Sequence, residues 1–192
     1  MLRYISHANV VQDPHVPVPQ WGLSDLGRDR VEAMLVQPWV NAIGRVICSS
    51  ETKSLDAASI LAAHLGLEIE VRASTGETDR SSTGYVPHEE HERLADLYFG
   101  RPNESARGWE RSIDSQARIV EATADVFADQ AADGGADTAV VGHGGVGTLL
   151  YCHHAGLKID RVHDQPGQGH YWSFDRGAKT VLHSWLPIDV LS

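Results

Sequence analysis

The sequence predicts an α/β fold with three layers, in which helices cover both faces of a mostly parallel sheet. Short apolar runs rich in β-branched residues alternate with longer segments of helical periodicity, the pattern expected for such a sheet. Two of the apolar runs end at a histidine, His7 and His143, and the second leads into a glycine pair. Because ligands bind at the carboxyl ends of parallel strands in α/β folds, these histidines predict one site at that edge.

Six segments have the length and apolar character of strands. They are bounded by turn residues or by the starts of helical patterns. The predicted strands are Leu2–Ser6, Arg45–Ser49, Glu68–Arg72, Thr138–Gly142, His170–Asp175 and Thr180–Trp185.

Four helices are predicted from capping residues and apolar stripes. The first has Ser24 as its N-cap and extends to about Val36, and the second begins after Ser50 and extends at least to Leu65. The third is the longest, at about 115–132, and the last covers roughly 146–154 with Gly156 at its end.

The whole chain, residues 1–192, is predicted to form one domain, since no linker, repeat or low-complexity tract divides it. Between about residues 73 and 111 the sequence becomes polar and turn-rich. A stretch of that kind inside a compact domain is typically a lid or a partly helical insertion, and we expect it to carry specificity.

Composition restricts the partners. A formal net charge of −10 argues against nucleic acid or an anionic membrane as partner, although a few local cations still permit an anionic small molecule. Cys48 and Cys152 lie in apolar segments, where we expect buried thiols of a reducing compartment. The N-terminus does not have the pattern of a signal peptide, so we expect a cytoplasmic protein. A homodimer is left open.

Between the two histidines in sequence, Lys53 lies where a predicted strand passes into a helix. Backbone N–H groups and the positive end of the helix dipole make such a junction suitable for an anion, and Lys53 adds a full charge. A solvated helix-surface lysine is the alternative. Because both histidines occupy comparable strand ends, we favour one anion site made by all three residues.

A proton donor is expected in the polar segment, where Glu77 and Asp79 are the two candidate carboxylates. A partly desolvated carboxyl there should have its pKa raised toward neutral pH. Arg80 is expected to be delivered by the same loop, either to the anion or, as the alternative, to an ion pair with Glu77 or Asp79.

The order of these landmarks resembles the histidine phosphatase (phosphoglycerate-mutase-like) superfamily. The resemblance includes Ser49-Ser50-Glu51-Thr52-Lys53 against that family's Ser-Pro-x-x-Arg, and the segment 21–28 against its Leu-(Ser/Thr)-x-x-Gly-x-x-Gln. The first motif departs from the family, because Ser6-His7-Ala8 stands in place of Arg-His-Gly. Lys53 similarly replaces an arginine, which should weaken the grip on phosphate.

The resemblance implies specific roles. His7 would be transiently phosphorylated, His143 would stabilise the transferred group, and Glu77 would be the acid. The predicted phosphate site further contains Lys53, Asn9, Ser6 and Gly144, and Arg80 is expected to replace in part the arginine missing at Ser6.

The predicted function is hydrolysis of a small phosphomonoester without metal or other cofactor. A mutase is less favoured, since 192 residues fit the compact phosphatase branch that the resemblance suggests. No metal site is expected, because His88 and His91 are three residues apart, unlike a zinc-binding His-Glu-x-x-His. The alternative is a pseudoenzyme that binds a phosphorylated ligand or protein, suggested by the two missing arginines.

Overall fold

The computed structural model describes residues 1–128 and 135–191. Within these ranges one mixed sheet contains seven strands, in the order β3-β2-β4-β1-β5-β6, with β7 paired to β5. The first four strands in this order are mutually parallel, and β5 to β7 are antiparallel to their neighbours. The strands are β1 (Leu2–Ser6), β2 (Ile43–Cys48), β3 (Ile69–Val71), β4 (Asp137–Gly142), β5 (His170–Asp175), β6 (Thr180–Val181) and β7 (Leu186–Pro187).

Five α-helices accompany the sheet in the described ranges, with short 3₁₀ turns between elements. They are α1 (Asp25–Met34), α2 (Thr52–Leu65), α3 (His88–Gly100), α4 (Ser112–Ala128) and α5 (Gly144–Ala155). No helix in these ranges combines the length and the apolar character that a membrane crossing requires.

The sheet separates two apolar layers, as the predicted three-layer fold requires. Successive side chains of a strand point to opposite faces, so the sheet contributes alternate residues to each layer. One layer lies between the sheet and α1 and α2 and includes Ile5, Val46, Val141, Met34 and Leu61. The other lies under α4 and α5 and includes Tyr4, Val140, Trp172, Ile119 and Leu150.

The helix ends follow the predicted signals. The Ser24 hydroxyl accepts a hydrogen bond from the amide of Gly27 and thereby caps α1. Gly156 ends α5 in the left-handed conformation, with φ of 67°, which glycine adopts without steric cost. The thiols of Cys48 and Cys152 are free and buried, as predicted.

Some predicted bounds were wrong. The last strand, predicted over Thr180–Trp185, ends at Val181 as β6, and the chain forms a second strand on β5 only beyond the predicted range, as β7. The longest helix begins at Ser112, before the predicted start, and the predicted end at 129–132 lies outside the described residues.

The polar segment 73–111 contains α3, which agrees with the partly helical insertion predicted there. Its apolar face forms a third, smaller cluster with Leu149 of α5, joined by Leu94, Tyr98, Phe99 and Trp109. Arg161, after α5, forms ion pairs with Glu92 and Asp96 of α3. The segment is therefore anchored to the domain at two points and forms one wall of the cavity described below.

Candidate active site

The two histidines meet because β1 and β4 are neighbours in the sheet. The strands are parallel with Ser6 opposite Gly142, so the residue after each strand emerges at the same edge. The amide of His7 donates to the carbonyl of Gly142 over 2.9 Å, and the His7 and His143 ring centroids lie 5.4 Å apart. The two imidazoles therefore lie close together at one edge of the sheet, as the sequence predicted.

The tautomer of His7 follows from its surroundings. Its Nδ1 lies 2.8 Å from the carbonyl oxygen of Ala8, which can only accept, so Nδ1 carries the proton. Nε2 is therefore left with a lone pair. Burial, together with the charge of His143, lowers the pKa of His7 to about 3, so the ring is neutral at pH 7. A neutral imidazole with an unprotonated Nε2 is the nucleophilic form.

His143 is held by both its backbone and its ring. The Tyr4 hydroxyl accepts from the His143 amide and donates to its carbonyl, at 3.0 and 2.9 Å. Ring Nε2 lies 2.7 Å from the Ser49 hydroxyl and 3.5 Å from a carboxylate oxygen of Glu51. Ring Nδ1 is fully buried and has no hydrogen-bond partner among the residues that the structure describes. Burial lowers the pKa of His143, while the charges of Glu51 and Glu77 act to raise it.

Lys53 projects into the site rather than into solvent, and only 2% of its surface is exposed. Its Nζ donates to the Val18 carbonyl over 2.9 Å and to Glu51 Oε2 over 2.5 Å. The other carboxylate oxygen, Oε1, accepts from the amide of Glu77 over 2.7 Å. The single carboxylate of Glu51 thus contacts Lys53, the predicted acid segment and, more distantly, His143.

Glu77 lies at the N-terminus of α5, where its carboxylate accepts from the amides of Gly145 and Val146, each over 3.0 Å. The raised pKa predicted for this residue is wrong. Burial would raise it, but the charges of His143 and Arg80 and the amide donors of Thr78 and Gly145 lower the pKa of Glu77 to about 2. Helix-terminal amides and cations favour the charged form of a carboxyl, and here they outweigh its desolvation.

Arg118 of α4 fixes the backbone that carries Glu77. Its guanidinium donates to the carbonyls of Ser74, Gly76 and Glu77 and is itself bonded to both carboxylate oxygens of Glu110. Asp79, the alternative acid, is exposed and its carboxylate accepts from the amide of Ser81. Glu77 lines the central cavity, whereas Asp79 is turned away from it.

Arg80 lines the same cavity and lies over the ring of Trp109, 5.8 Å from its centroid. Within the described part of the chain its guanidinium forms no hydrogen bond or ion pair, so the alternative of a surface ion pair with Glu77 or Asp79 is not observed. Its charge still acts on Glu77 and His143, since it lowers the pKa of both.

Two of the residues predicted to contact phosphate are engaged elsewhere. The Asn9 side-chain oxygen accepts a hydrogen bond from Arg30 of α1, because the turn after His7 lies against α1. Arg30 also forms an ion pair with Asp189. Arg30 thus connects α1 with the turn after His7 and with Asp189. Ser6 is buried, and its hydroxyl donates to Gln165 Oε1 over 2.5 Å.

Gly144 does line the cavity, and its lack of a side chain has a steric reason. A Cβ at Gly144 would lie 2.1 Å from Gln165 Nε2. The amide of Gln165 therefore occupies the space between Ser6 and the start of α5. Gln165 itself also lines the cavity.

A cavity of about 700 Å³ joins these groups. At one end it is bordered by His7, Lys53, Glu77, Arg80, Gly144 and Gln165. Nucleophile, cations and carboxylate thus share one space that is large enough for a small ester. In residues 1–128 and 135–191 no three His, Cys, Asp or Glu side chains are grouped to hold a metal ion.

Sequence reasoning did not single out Ser49, Glu51, Gln165 or Arg118 as members of the site. Glu51 was visible as an acid two residues before Lys53, at the start of the same helix. Gln165 and Arg118 are remote in sequence and gave no local signal, because only the packing of their segments against the site brings them close.

The family model of the histidine phosphatase superfamily, branch 1, matches residues 11–175 of the chain. It belongs to this superfamily. The matched region begins after His7, so the assignment rests on the rest of the chain and is independent of the altered first motif. None of the curated proteins compared with the chain matches it.

Solved structures of the same fold cover nearly the whole chain. A mycobacterial glucosyl-3-phosphoglycerate phosphatase in complex with inorganic phosphate is 20% identical, with a TM-score of 0.79 and 98% of each chain covered. Bacillus stearothermophilus YhfR is 18% identical, with a TM-score of 0.73, covering 99% of this chain and 98% of its own. A putative α-ribazole-5′-phosphate phosphatase from Escherichia coli is 15% identical, with a TM-score of 0.69, covering 100% of this chain and 97% of its own. At these identities the likeness establishes the fold.

Proposed function

We propose that the protein is a phosphatase that hydrolyses a small phosphomonoester through a phosphohistidine at His7. The observation that carries the proposal is the state of that ring. Its Nδ1–H is committed to the Ala8 carbonyl, and the unprotonated Nε2 belongs to a residue lining the cavity. Membership of the histidine phosphatase superfamily supports the same activity.

In the first step Nε2 of His7 attacks phosphorus, and the bond from phosphorus to the ester oxygen breaks. The developing negative charge is stabilised by Lys53, Arg80 and His143. The leaving alkoxide takes a proton from the Glu77 carboxyl and departs as the alcohol.

In the second step a water molecule attacks the phosphohistidine, and ionised Glu77 accepts the proton that the water loses. The P–N bond breaks, which releases inorganic phosphate and returns His7 to its neutral form. The sum of both steps is the ester plus water giving the alcohol plus phosphate. No step requires a metal or an organic cofactor.

Glu77 must hold a proton when the alcohol leaves, although its pKa is about 2 in the free protein. A bound phosphoryl group brings about two negative charges next to the carboxylate, and nearby like charge raises the pKa of an acid. Substrate binding therefore supplies the conditions under which Glu77 becomes the acid.

The test is to trap the intermediate. A ³²P-labelled phosphomonoester, quenched during turnover, should label the wild-type protein with an acid-labile, base-stable phosphate. His7→Ala should abolish both labelling and phosphate release while keeping the circular-dichroism spectrum and thermal transition of the wild type. Activity that survives in His7→Ala, or that disappears on treatment with a chelator, would contradict the proposal.

One observation favours a second candidate, a binding protein without useful turnover. The cation of Lys53 is already neutralised by Glu51, and Ser6 in place of arginine is bonded to Gln165. A protein that binds vanadate and phosphate but releases none from any ester in a broad panel would support this candidate.

A further inference from the structure

Beyond the phosphoryl end, the cavity is walled by aromatic side chains. The Trp21 and Tyr85 rings contact each other with centroids 5.9 Å apart and planes tilted by 57°, and the Trp109 and His91 centroids lie 5.7 Å apart. All four residues line the cavity. Trp21 comes from the segment before α1, and the other three belong to the insertion 73–111, so two separate parts of the chain supply the same kind of surface.

The polar edges of the two indoles are already in use. Trp21 Nε1 donates to the carbonyls of Asp13 and Val16, each over 3.0 Å. Trp109 Nε1 donates to the hydroxyl of Thr83 over 2.9 Å. The rings are held in place by these bonds, and a ligand meets their apolar surface rather than a hydrogen-bond donor.

The charges of this wall do not suit a second anionic group on the substrate. The lysine and arginine side chains that line the cavity, among the described residues, are Lys53, Arg80 and Arg161. Lys53 is paired with Glu51, Arg161 is paired with Glu92 and Asp96, and Arg80, which lies over Trp109, is the cation left for the phosphoryl group. A carboxylate or a second phosphate on the leaving group would therefore find no further unpaired lysine or arginine among the described residues of the cavity.

We propose that the substrate of this site is a phosphomonoester of an uncharged alcohol that carries an aromatic ring. The proposal rests on the phosphatase function proposed above and names the chemical class of its leaving group. The ring stacks on the wall formed by Trp21 and Tyr85, while the phosphoryl group lies between His7, Lys53 and Arg80. Contact of a planar ring with these aromatic side chains favours aromatic over aliphatic alcohols.

Binding of phosphonates tests this without turnover, because their P–C bond is not hydrolysed. The probes are methylphosphonate, phenylphosphonate, cyclohexylphosphonate and phosphonoacetate, measured by calorimetry on the full chain. Phenylphosphonate should bind about tenfold more tightly than methylphosphonate, as one aromatic contact allows. Cyclohexylphosphonate should bind more weakly than phenylphosphonate, and phosphonoacetate no more tightly than methylphosphonate.

Variants locate the effect. Tyr85 is 37% exposed, so its replacement should leave the fold intact. Tyr85→Ala should remove most of the advantage of phenylphosphonate over methylphosphonate, and Tyr85→Phe should keep it. Val36→Ala, which changes an exposed apolar side chain that does not line the cavity, is the control and should leave all four affinities unchanged.

The outcomes separate this proposal from the one on which it rests. Equal binding of phenylphosphonate and methylphosphonate, equal binding of phenyl- and cyclohexylphosphonate, or tighter binding of phosphonoacetate would each overturn the substrate class. In those cases methylphosphonate and inorganic phosphate still bind in competition with each other. Failure of every phosphonate and of inorganic phosphate to bind would instead contradict the phosphoryl site itself.

Discussion

Glu51 changes the charge of the site more than any other residue in it. With Ser6 in place of an arginine, the cations at the phosphoryl end are Lys53 and Arg80, and Glu51 cancels the first of them through a 2.5 Å ion pair. The same carboxylate lies 3.5 Å from His143 Nε2, where its charge favours the protonated ring. Glu51 should therefore weaken anion binding while it supports catalysis.

We predict opposite effects of Glu51→Gln on binding and turnover. Vanadate should bind on the order of tenfold more tightly, since a charged hydrogen bond to Lys53 no longer competes with the anion. At the same time kcat should fall, because His143 loses the charge that favours its cationic form. Calorimetry with vanadate and steady-state kinetics measure both. The matched control is Glu68→Gln, which replaces an exposed glutamate just after α2. Unchanged or weaker vanadate binding in Glu51→Gln would refute the role.

Glu77 should act on the leaving group. In Glu77→Gln we expect esters of aliphatic alcohols to be hydrolysed at least about a hundredfold more slowly, because a poor leaving group needs the proton most. Esters of 4-nitrophenol, which leaves without help, should be much less affected. Rates for a series of esters with alcohols of different pKa measure this dependence.

Asp79→Asn provides the control for that series, since Asp79 is exposed and lies outside the cavity. It should preserve the wild-type dependence on the leaving group. If Asp79→Asn shows the selective loss and Glu77→Gln does not, the two carboxylates have the opposite roles.

At the level of elements, the site depends on a clamp between α4 and the loop after β3. Arg118 donates to three carbonyls of that loop, and Glu110 holds the guanidinium from the other side. The loop has little regular structure of its own before α3, so its backbone needs these bonds for a fixed shape. Arg118 is a positioning residue that acts through Glu77.

Arg118→Ala should therefore release the loop. We expect a loss of stability of about 2 kcal/mol, from charged hydrogen bonds that are half-buried, and a drop in kcat that is again largest for poor leaving groups. Arg111→Ala is the control, because Arg111 pairs with Asp114 at the surface, where an ion pair contributes little, and it should leave stability nearly unchanged. Denaturant unfolding and the ester series measure the two effects, and equal behaviour of both variants would contradict the clamp.

For the molecule as a whole, burial of His7 links stability to pH. Its pKa is about 3 in the folded protein and about 6.5 when exposed. Between these values the unfolded chain binds a proton that the folded chain does not, so stability falls as the pH decreases from about 6.5 toward 3. One such group contributes a slope of at most about 1.4 kcal/mol per pH unit.

Urea unfolding of the wild type between pH 7 and pH 4 should display this slope, and His7→Gln should reduce it by the contribution of one proton. His15→Gln, at an exposed position, should keep the slope of the wild type. A His7→Gln variant with the same slope would show that His7 is protonated in the folded protein, which would also remove its nucleophilic form.

How much of the site followed from the sequence can be seen at particular residues. The meeting of His7 and His143 was predicted, because two parallel neighbouring strands end at one edge, and apolar runs reveal such strands locally. Lys53 was predicted because strand-to-helix junctions have a local signature. The hydrogen bond of the Asn9 side chain to Arg30 was not predicted, since it depends on how α1 lies against the turn.

Sequence alone was sufficient for the fold class and for most helix and strand positions. It was also sufficient to place His7, His143 and Lys53 at the ends of strands or the start of a helix, because short-range periodicity and capping determine these features. The ion pair of Lys53 with Glu51, the low pKa of Glu77 and the aromatic wall were decided only by tertiary structure. Each depends on groups that are distant along the chain or on the balance between burial and neighbouring charge. That balance is a property of the packed molecule, and no local pattern of residues encodes it.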